Sequence, residues 1–401
     1  MRPRYLVFLK DVLLLALTAF GGPQAHMAMF FDKLVDKRRY ITEDELIELN
    51  ALCNILPGPT STQTITAIGF KIGGPNLAYL TLIIWLLPAI IIMTMAGVGI
   101  AYLHENNISI NFTRFIQPMA VGFVAHAAYR ISLKVVQTRT AVVLMVLSAL
   151  IAYFFRSPWV FPALLLMGGA VTARRYKKQQ QVPNKRLNVQ WSNFILWGAV
   201  LIGAALVGAY TRSWDKAWFS QSVRLFENFY RNGSMIFGGG QVLIPLLFTE
   251  FVEFKKYLSS EEFLSGIAIV QALPGPVFSF TAYVGALSMR EFGLGGQLLG
   301  AFIATAGIFL PGTFLIFFVY RFWDQLKQFR IVKASLEGIN AVGSGLITAA
   351  AILLYNPIEN TVINFGLVVA TFALLMFTKI PPPLIIITGL AAGLLFGYFG
   401  W

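Results

Sequence analysis

The sequence is poor in charged residues and in cysteine. Asp, Glu, Lys and Arg make up 12% of the 401 residues, whereas 57% are hydrophobic, and the mean hydropathy is +0.69. A soluble domain carries about 25% charged residues, so this composition excludes a water-exposed globular protein and indicates one that lies in a bilayer. Cys53 is the only cysteine, which excludes an intrachain disulfide. We interpret it as a small apolar packing residue.

Motifs for enzymatic chemistry are also absent. The sequence has no His-Glu-x-x-His zinc motif and no Gly-x-x-x-x-Gly-Lys-Ser/Thr phosphate loop. Its three histidines, His26, His104 and His126, are far apart in the chain. The sequence therefore predicts no catalytic residue, no metal site and no cofactor. It disfavours an intramembrane enzyme, and it excludes ATP as an energy source within this chain.

Long apolar runs fill most of the chain. A bilayer core is about 30 Å thick and takes about 20 apolar residues per helix. A first helix starts near the N-terminus and lacks the small-residue cleavage site of a signal peptide. The later segments that meet or approach the spanning length are 76–103, 116–133, 140–156, 158–172, 194–211, 296–320, 334–355, 362–378 and 381–400. The sequence thus predicts an all-α integral membrane protein.

Basic residues give the chain a formal net charge of +13. They lie in short loops between apolar runs, as the positive-inside rule describes, so we exclude nucleic acid as a partner. The loop 173–193 is the most basic and is predicted to be cytoplasmic. Counting spans from this loop places the N-terminus in the cytoplasm and Trp401 outside a prokaryotic plasma (inner) membrane.

The chain contains an internal duplication. The stretch Phe20–Gln24 (FGGPQ) recurs as Phe237–Gln241 (FGGGQ), an offset of 217 residues (237 minus 20). The same offset relates Leu56–Pro59 to Leu273–Pro276, both of which read Leu-Pro-Gly-Pro. An ungapped series of this length indicates two homologous repeats.

Charge counting predicts that the repeats are inverted. Helix 76–103 is expected to run outward, whereas its counterpart 296–320 runs inward and ends in a basic stretch. Inverted-topology repeats are typical of secondary transporters, which bind their substrate near the membrane midplane between the repeats. The predicted domains are a first transmembrane repeat (1–172), a basic loop with a linker helix (173–222) and a second, inverted repeat (223–401).

Each repeat opens with two interrupted apolar segments. In the first repeat they are 6–35, broken by Gly21-Gly22-Pro23, and 45–70, broken by Pro57-Gly58-Pro59. The pieces have 11 to 15 residues, about half to two-thirds of the membrane thickness at 1.5 Å per residue. We predict two re-entrant helical hairpins per repeat, followed by about four spanning helices. Two kinked spans are the alternative, but they would place Lys37–Arg39 outside.

The breaks suit an oxyanion, because helix N-termini expose unpaired N–H groups and the positive end of a dipole. Hydroxyl and amide donors follow the first Pro-Gly-Pro in the run Thr60–Thr64 (TSTQT), whereas Val277–Thr281 (VFSFT) offers fewer. We therefore predict an asymmetric site with most contacts from the first repeat. The alternative is that these Ser and Thr residues cap helices or pack against neighbours.

The candidate residues fall into three groups. The predicted substrate-binding residues are Gly21, Gly22, Gln24, Asn54, Pro57, Gly58, Pro59, Thr60, Ser61, Thr62, Gln63, Gly238, Gly239, Gln241, Gln271, Pro274, Gly275, Pro276 and Ser279. The predicted anion-attracting residues are Lys37, Arg38, Arg39, Lys255 and Lys256, for which ordinary interfacial charges are the alternative. The candidates for proton coupling are His26 and Glu48, although a packed neutral histidine fits His26 equally. Glu45 and Glu262 are instead predicted to close capping boxes with Thr42 and Ser259.

With these motifs in hand, the chain resembles the chromate ion transporter family of two-repeat, long-chain type. The resemblance rests on Phe20–Gln24, Asp36–Tyr40 and Leu56–Gln63, on their second copies, and on nearly the whole length. It implies a prokaryotic plasma membrane protein that exports chromate, an analogue of sulfate. Gly240 stands where the first repeat has Pro23, so a symmetric site is not carried over.

Several functions fit this sequence. The leading one is secondary active transport of chromate, driven by the membrane potential, with or without proton antiport. The alternatives are a transporter of sulfate or another oxyanion and a passive anion channel. The expected partners are the oxyanion, the lipid bilayer and a second copy of the chain in a homodimer.

Overall fold

The computed structural model describes residues 3–106, 108, 111–174, 191–211, 217–237, 240–323 and 330–399. Within these ranges the secondary structure is helical, and no β-strand is present. The predicted residues Gly238 and Gly239, the side chains of Gln24 and Gln241, most of the basic loop 173–193 and Trp401 lie outside the described part.

The two halves contain matching series of helices. The first half consists of α1 (Pro3–Thr18), α2 (Gly22–Phe30), α3 (Glu43–Ile55), α4 (Thr60–Glu105), α5 (Ile116–Val135), α6 (Arg139–Phe154) and α7 (Val160–Arg174). A linker helix, α8 (Ser192–Tyr210), follows. The second half consists of α9 (Ala217–Met235), α10 (Gly240–Leu247), α11 (Ser260–Gln271), α12 (Phe280–Ser288), α13 (Gly293–Val319), α14 (Arg330–Tyr355), α15 (Val362–Phe377) and α16 (Pro382–Phe399).

The repeat extends to unusual backbone features. A π-helix continues α2 over Phe31–Lys37, and another continues α10 over Phe248–Phe254, at the offset of 217 seen in the sequence. Each π-helix is followed by a basic residue with positive φ, Arg39 at 50° and Lys256 at 55°. Non-glycine residues adopt this conformation rarely, so its recurrence shows that the repeats share backbone detail as well as sequence.

Capping boxes start α3 and α11, as the sequence predicted. The hydroxyls of Thr42 and Ser259 accept from the backbone N–H groups of Glu45 and Glu262, and each glutamate accepts in return from the N-cap N–H. These reciprocal bonds satisfy helix N–H groups that have no intrahelical partner. Glu45 and Glu262 are therefore structural caps.

One helix differs from the sequence-based division. We expected separate helices over 60–70 and 76–103, but α4 is assigned as one 46-residue helix with non-helical backbone at Gly73 and Gly74. Gly74 has φ 73° and ψ −166°, and Gly293 at the start of α13 has φ 67° and ψ −166°. The same glycine-dependent bend thus separates the pieces in both repeats.

Ion pairs show that the chain doubles back at each break in the first repeat. Asp11 on α1 lies 2.9 Å from Arg38, and Glu45 at the start of α3 lies 2.6 Å from Lys71 on α4. Residues separated by 26 or 27 positions on a straight helix would be about 40 Å apart. Arg290 pairs in the same way with Glu262 in the second repeat.

The later helices of the two repeats interlock. Helix α14 packs along α5, α6 and α7, and α13 packs along α9 and α12. Small residues permit the close approach, since a Cβ on Gly338 would overlap the carbonyl oxygen of Gly168.

Burial differs between the corresponding broken segments. Residues 242–251 in α10 and its π-helix are all buried, whereas among 25–34 only His26, Phe30 and Leu34 are buried. Helix α11 packs against α5 and α16, while α3 packs chiefly against α4. The repeats therefore share a sequence pattern but not the same surroundings.

Some of the described helices are long enough to span a membrane. Four described helices are long and apolar enough to cross a membrane, namely 60–105, 192–210, 290–322 and 334–355. Five shorter apolar helices have 10 to 17 residues. This composition is that of a multi-pass membrane protein.

Candidate functional site

The two Pro-Gly-Pro breaks meet the opposite repeat through a reciprocal pair of hydrogen bonds. The N–H of Gly58 donates to the carbonyl of Ile236 at 2.7 Å, and the N–H of Gly275 donates to the carbonyl of Ala19 at 2.7 Å. Ala19 and Ile236 occupy equivalent positions, each directly before a Phe-Gly-Gly motif. The two repeats therefore meet through equivalent donor and acceptor positions, with the roles exchanged.

Glycine is required at both breaks for conformation and for space. Gly58 has φ 116° and Gly275 has φ 110°, a region that residues with a side chain rarely adopt. A Cβ on Gly58 would lie 2.9 Å from Gln63 Nε2, and one on Gly275 would lie 3.0 Å from the Cβ of Ala89. Each break therefore fits closely against its neighbours.

Gln63 closes the first break from inside. Its Nε2 donates to the carbonyl of Pro57 at 2.6 Å. Its Oε1 is buried and has no hydrogen-bond partner among the described residues. Gly312 on α13 leaves room for this carboxamide, because a Cβ there would lie 2.5 Å from Nε2. Gln63 thus presents an unpaired acceptor at the junction of the repeats.

Ser61 and His26 form a buried pair next to the first break. The Nδ1 atom of His26 lies 2.9 Å from Ser61 Oγ, and its Nε2 atom lies 3.1 Å from the Ala19 carbonyl. A carbonyl oxygen only accepts, so Nε2 carries a hydrogen. The Ala19 carbonyl therefore receives bonds from the histidine and from the Gly275 N–H of the other repeat.

Two further hydroxyls of the run after the first break, those of Thr62 and Thr64, are held by the protein. Thr62 Oγ accepts from Trp85 Nε1 at 3.2 Å. Thr64 donates to the carbonyl of Thr60 at 2.9 Å within α4. Thr60 itself is half-buried, whereas 61–64 are buried.

The second break carries fewer polar groups, and one of them is unpaired. Ser279 occupies the position equivalent to Thr62, is 1% exposed, and its Oγ has no partner among the described residues. Thr281 donates to the carbonyl of Phe278 at 2.8 Å. The helix before this break also holds an unpaired buried hydroxyl, Ser265.

The other predicted binding residues range from buried to exposed. Pro57, Pro59 and Pro276 are buried, and Pro274 and Gln271 are half-buried. The residues at the surface of the chain or close to it are Asn54, Gly21 and Gly22. Glu48 is half-buried and engaged in an interaction.

Most of the predicted anion-attracting residues have carboxylate partners. Lys37 lies 2.7 Å from Asp32, Arg38 lies 2.9 Å from Asp11, and Lys255 lies 3.7 Å from Glu250. Such pairing neutralises most of their attraction for an anion. Arg39 and Lys256 are exposed and form no ion pair with a described residue, so they remain the strongest members of this group.

Sequence reasoning missed two buried charge clusters. Asp11, 2% exposed at its side chain, binds Lys33 and Arg38. It also accepts from Tyr40, whose pKa burial and this carboxylate raise to about 12. In the second repeat, Arg231 contacts Glu227, Glu250 and the ring of Trp159. The available signal was a carboxylate within an apolar stretch, Asp11 in α1 and Glu250 after α10.

Comparison with known proteins identifies the chain. The family profile described as "Chromate transporter" matches residues 6–173 and 223–394. The chain belongs to the chromate transporter family. Chromate transporters are transport proteins and not enzymes, and this member has both family repeats.

Two of the relatives match nearly the whole chain, and a third matches less than half of it. An uncharacterized transporter of Methanocaldococcus jannaschii is 24% identical over 98% of this chain and 94% of its own. A chromate transport protein of Cupriavidus metallidurans is 25% identical over 94% of this chain and 89% of its own. An uncharacterized transporter of Bacillus subtilis is 29% identical, covering 98% of its own length but 44% of this chain. That protein therefore corresponds in size to one repeat. No solved structure matches the chain.

Proposed function

We propose that this protein is a secondary active transporter that exports chromate across the plasma membrane through a site between two inverted repeats. The observation that carries the proposal is the reciprocal pair of bonds from Gly58 to Ile236 and from Gly275 to Ala19. These bonds bring the Pro-Gly-Pro break of each repeat to the Phe-Gly-Gly break of the other. In inverted-repeat transporters the substrate binds at such a junction between the repeats.

The junction offers neutral donors that suit a tetrahedral oxyanion. The helix that begins at Thr60 directs its first N–H groups toward the break, and Ser61, Thr62 and Ser279 supply hydroxyls nearby. Helix N-termini bind anions without a full positive charge, which permits release as well as binding.

The hydrogen bonds of Gly58 and Gly275, which lie at the tips of two proposed hairpins, suggest how binding moves the repeats. The N–H of each tip glycine donates to a backbone carbonyl of the opposite repeat. An oxyanion oxygen is an equivalent acceptor for the same N–H. Exchanging the carbonyl of Ile236 or Ala19 for the anion would release one repeat from the other and couple binding to conformational change.

The proposed topology has re-entrant hairpins and a cytoplasmic N-terminus. The ion pair between Asp11 and Arg38 supports re-entry, because it returns the end of the first broken segment to the side where it began. The unequal burial of 25–34 and 242–251 supports alternating access, since protein encloses this segment in the second repeat but not its counterpart in the first.

The membrane potential suffices as a driving force. An anion that leaves a negative-inside cell gains about 2.3 kcal/mol per charge for each 100 mV. A proton gradient is the second candidate source of energy. The substrate assignment is supported by the name of the Cupriavidus metallidurans relative, a chromate transport protein. Sulfate is the leading alternative substrate.

We propose in addition that two copies associate as a homodimer. Helix α8 supports this proposal, because it is apolar and Gly208 is its one buried residue. The mass of the purified protein in detergent, corrected for bound detergent, tests it.

Flux in proteoliposomes tests the transport proposal. Vesicles that contain the protein are loaded with chromate, and efflux is followed under a set potential and pH gradient. We expect saturable, potential-driven efflux, inhibited by sulfate and molybdate and little affected by chloride. Counterflow against a gradient of unlabelled chromate identifies a carrier. Unsaturable flux that chloride shares would identify a passive anion channel instead.

A further inference from the structure

We propose that His26 binds a proton together with the oxyanion, so that one proton travels with each anion in the same direction. This inference rests on the proposed function, and it names the coupling ion and the residues that bind it. Its basis is the position of the imidazole between the Ala19 carbonyl and Ser61 Oγ, beside the first break.

The pair accepts two protonation states without moving a heavy atom. In the neutral ring, Nε2–H donates to the Ala19 carbonyl and Nδ1 accepts from the Ser61 hydroxyl. In the charged ring both nitrogens donate, so Ser61 Oγ becomes an acceptor at the same 2.9 Å distance. Only the hydroxyl hydrogen has to rotate.

Rotation changes what Ser61 offers to an anion. While the ring is neutral, the Ser61 hydrogen is used by Nδ1. When the ring is charged, that hydrogen is free, and no other described acceptor bonds to Ser61. An oxyanion oxygen supplies the missing acceptor, and its negative charge offsets the buried imidazolium. Proton and oxyanion therefore favour each other's binding.

Among the described residues, no charged side chain on α2 or on the elements packed against it bonds to the His26 ring in place of the anion. Trp85 packs edge-on at 5.3 Å, and α2 itself carries no charged residue. The charged residues on the elements packed against α2 are Asp32, Lys33, Asp36 and Lys37 on its π-helix and Lys71, His104 and Glu105 on α4. None of these bonds to the imidazole. The second repeat has Leu243 at the equivalent place, so the device exists once.

The direction of the pH effect follows from reciprocal linkage. An anion that binds better to the protonated protein binds more tightly as pH falls, by up to about tenfold per pH unit for one proton. Transport of a dianion with one proton moves one negative charge instead of two. The membrane potential then still drives export, with half the electrical gain per anion. A pH gradient that is alkaline inside opposes this symport, so the membrane potential replaces the proton gradient as the energy source for export.

Sulfate binding to the purified protein tests the proposal, because sulfate remains a dianion throughout the range in which histidine titrates. Calorimetry between about pH 6 and pH 8, in buffers of different ionisation enthalpy, measures affinity and proton uptake together. Where sulfate does not bind, chromate is used, with the protonation of the free ion subtracted. We expect tighter binding at lower pH and uptake approaching one proton.

Three variants test whether the His26–Ser61 pair causes the pH dependence of anion binding. His26→Gln keeps an amide donor for Ala19, and we expect it to bind at the weak, high-pH level at every pH without proton uptake. Ser61→Ala should also flatten the pH dependence. His126→Gln, a change to a histidine on α5 that lies outside the site, should behave like the wild type.

The outcomes distinguish the inference from the function on which it rests. Binding with neither pH dependence nor proton uptake in the wild-type protein would overturn the role of His26 and leave oxyanion transport intact. A full pH dependence in Ser61→Ala would overturn the proposed rotation of the Ser61 hydroxyl between His26 and the anion. Absence of binding by chromate, molybdate and sulfate at every pH would reject the proposed function itself.

Discussion

At the scale of single residues, the junction depends on backbone groups rather than on charged side chains. Gly58 and Gly275 combine positive φ with close contacts, and their N–H groups bond across the repeats. A backbone donor has a fixed direction, so the precision of the site depends on the geometry of the break. Alanine adds one methyl group and strains that geometry.

We predict that Gly58→Ala and Gly275→Ala each reduce chromate transport more than they reduce the amount of folded protein. The added Cβ at Gly58 meets Gln63, and the one at Gly275 meets Ala89. Gly99→Ala is the matched control, because a Cβ there meets nothing within 4 Å. Flux per molecule in vesicles is the measurement. Normal flux in both tip variants would show that the breaks are not the site.

The hydroxyls after the breaks provide a second test. We predict that Ser61→Ala with Thr62→Ala weakens chromate binding by about one to four orders of magnitude, since each lost bond costs about 0.5–1.5 kcal/mol, or 1.5–3 with a charged partner. Ser279→Ala with Thr281→Ala should have a smaller effect. The dependence of flux on chromate concentration is measured for both pairs.

The comparison of these pairs decides where the anion lies. The unpaired hydroxyl of Ser279 makes the second pair a demanding control. A larger effect of that pair would place the site on the second repeat. Equal transport in all variants would show that these hydroxyls only cap and pack.

At the scale of elements, the same helix start is held differently in the two repeats. Glu45 and Glu262 both close a capping box and both pair with a basic residue, Lys71 or Arg290. The Glu45 side chain is 35% exposed and that of Glu262 is 2% exposed. Water therefore screens the charge of Glu45, whereas the buried charge of Glu262 is compensated chiefly by Arg290.

We predict that Glu262→Gln lowers the thermal stability of the purified protein more than Glu45→Gln does. Removing the Glu262 carboxylate leaves Arg290, 27% exposed at its side chain, without its partner, so we expect a cost below the value of about 3–5 kcal/mol for a fully buried pair. Unfolding in detergent, followed by a fluorescence scan, gives the comparison. A larger loss in Glu45→Gln would contradict the burial argument.

At the scale of the whole molecule, the predicted inversion has a direct test. Reporter proteins fused within the loop 173–193 and after Trp401 should give opposite signals, with the loop in the cytoplasm. A fusion after Glu105 should agree with the Trp401 fusion, because α4 is expected to run outward. Matching signals from the loop and the C-terminus would refute inverted topology.

The sequence alone was sufficient to predict the fold class, the internal repeat and local features such as the capping boxes. Hydrophobic runs predicted the membrane helices, the spacing of Thr42 and Glu45 predicted the capping box, and the offset of 217 predicted two related halves. These features depend on composition or on residues within a few positions of each other. Local pattern therefore carries them.

Tertiary structure decided which groups meet at the junction. The Gly58 N–H and the Ile236 carbonyl are 178 residues apart, and the Ser61–His26 pair joins two different helices. A backbone carbonyl has no signature in sequence, because every residue carries one. The partner of each tip N–H, the hydrogen bonds of His26 and the neutralisation of Arg38 by Asp11 depend on how the helices pack, and only the folded chain determines that packing.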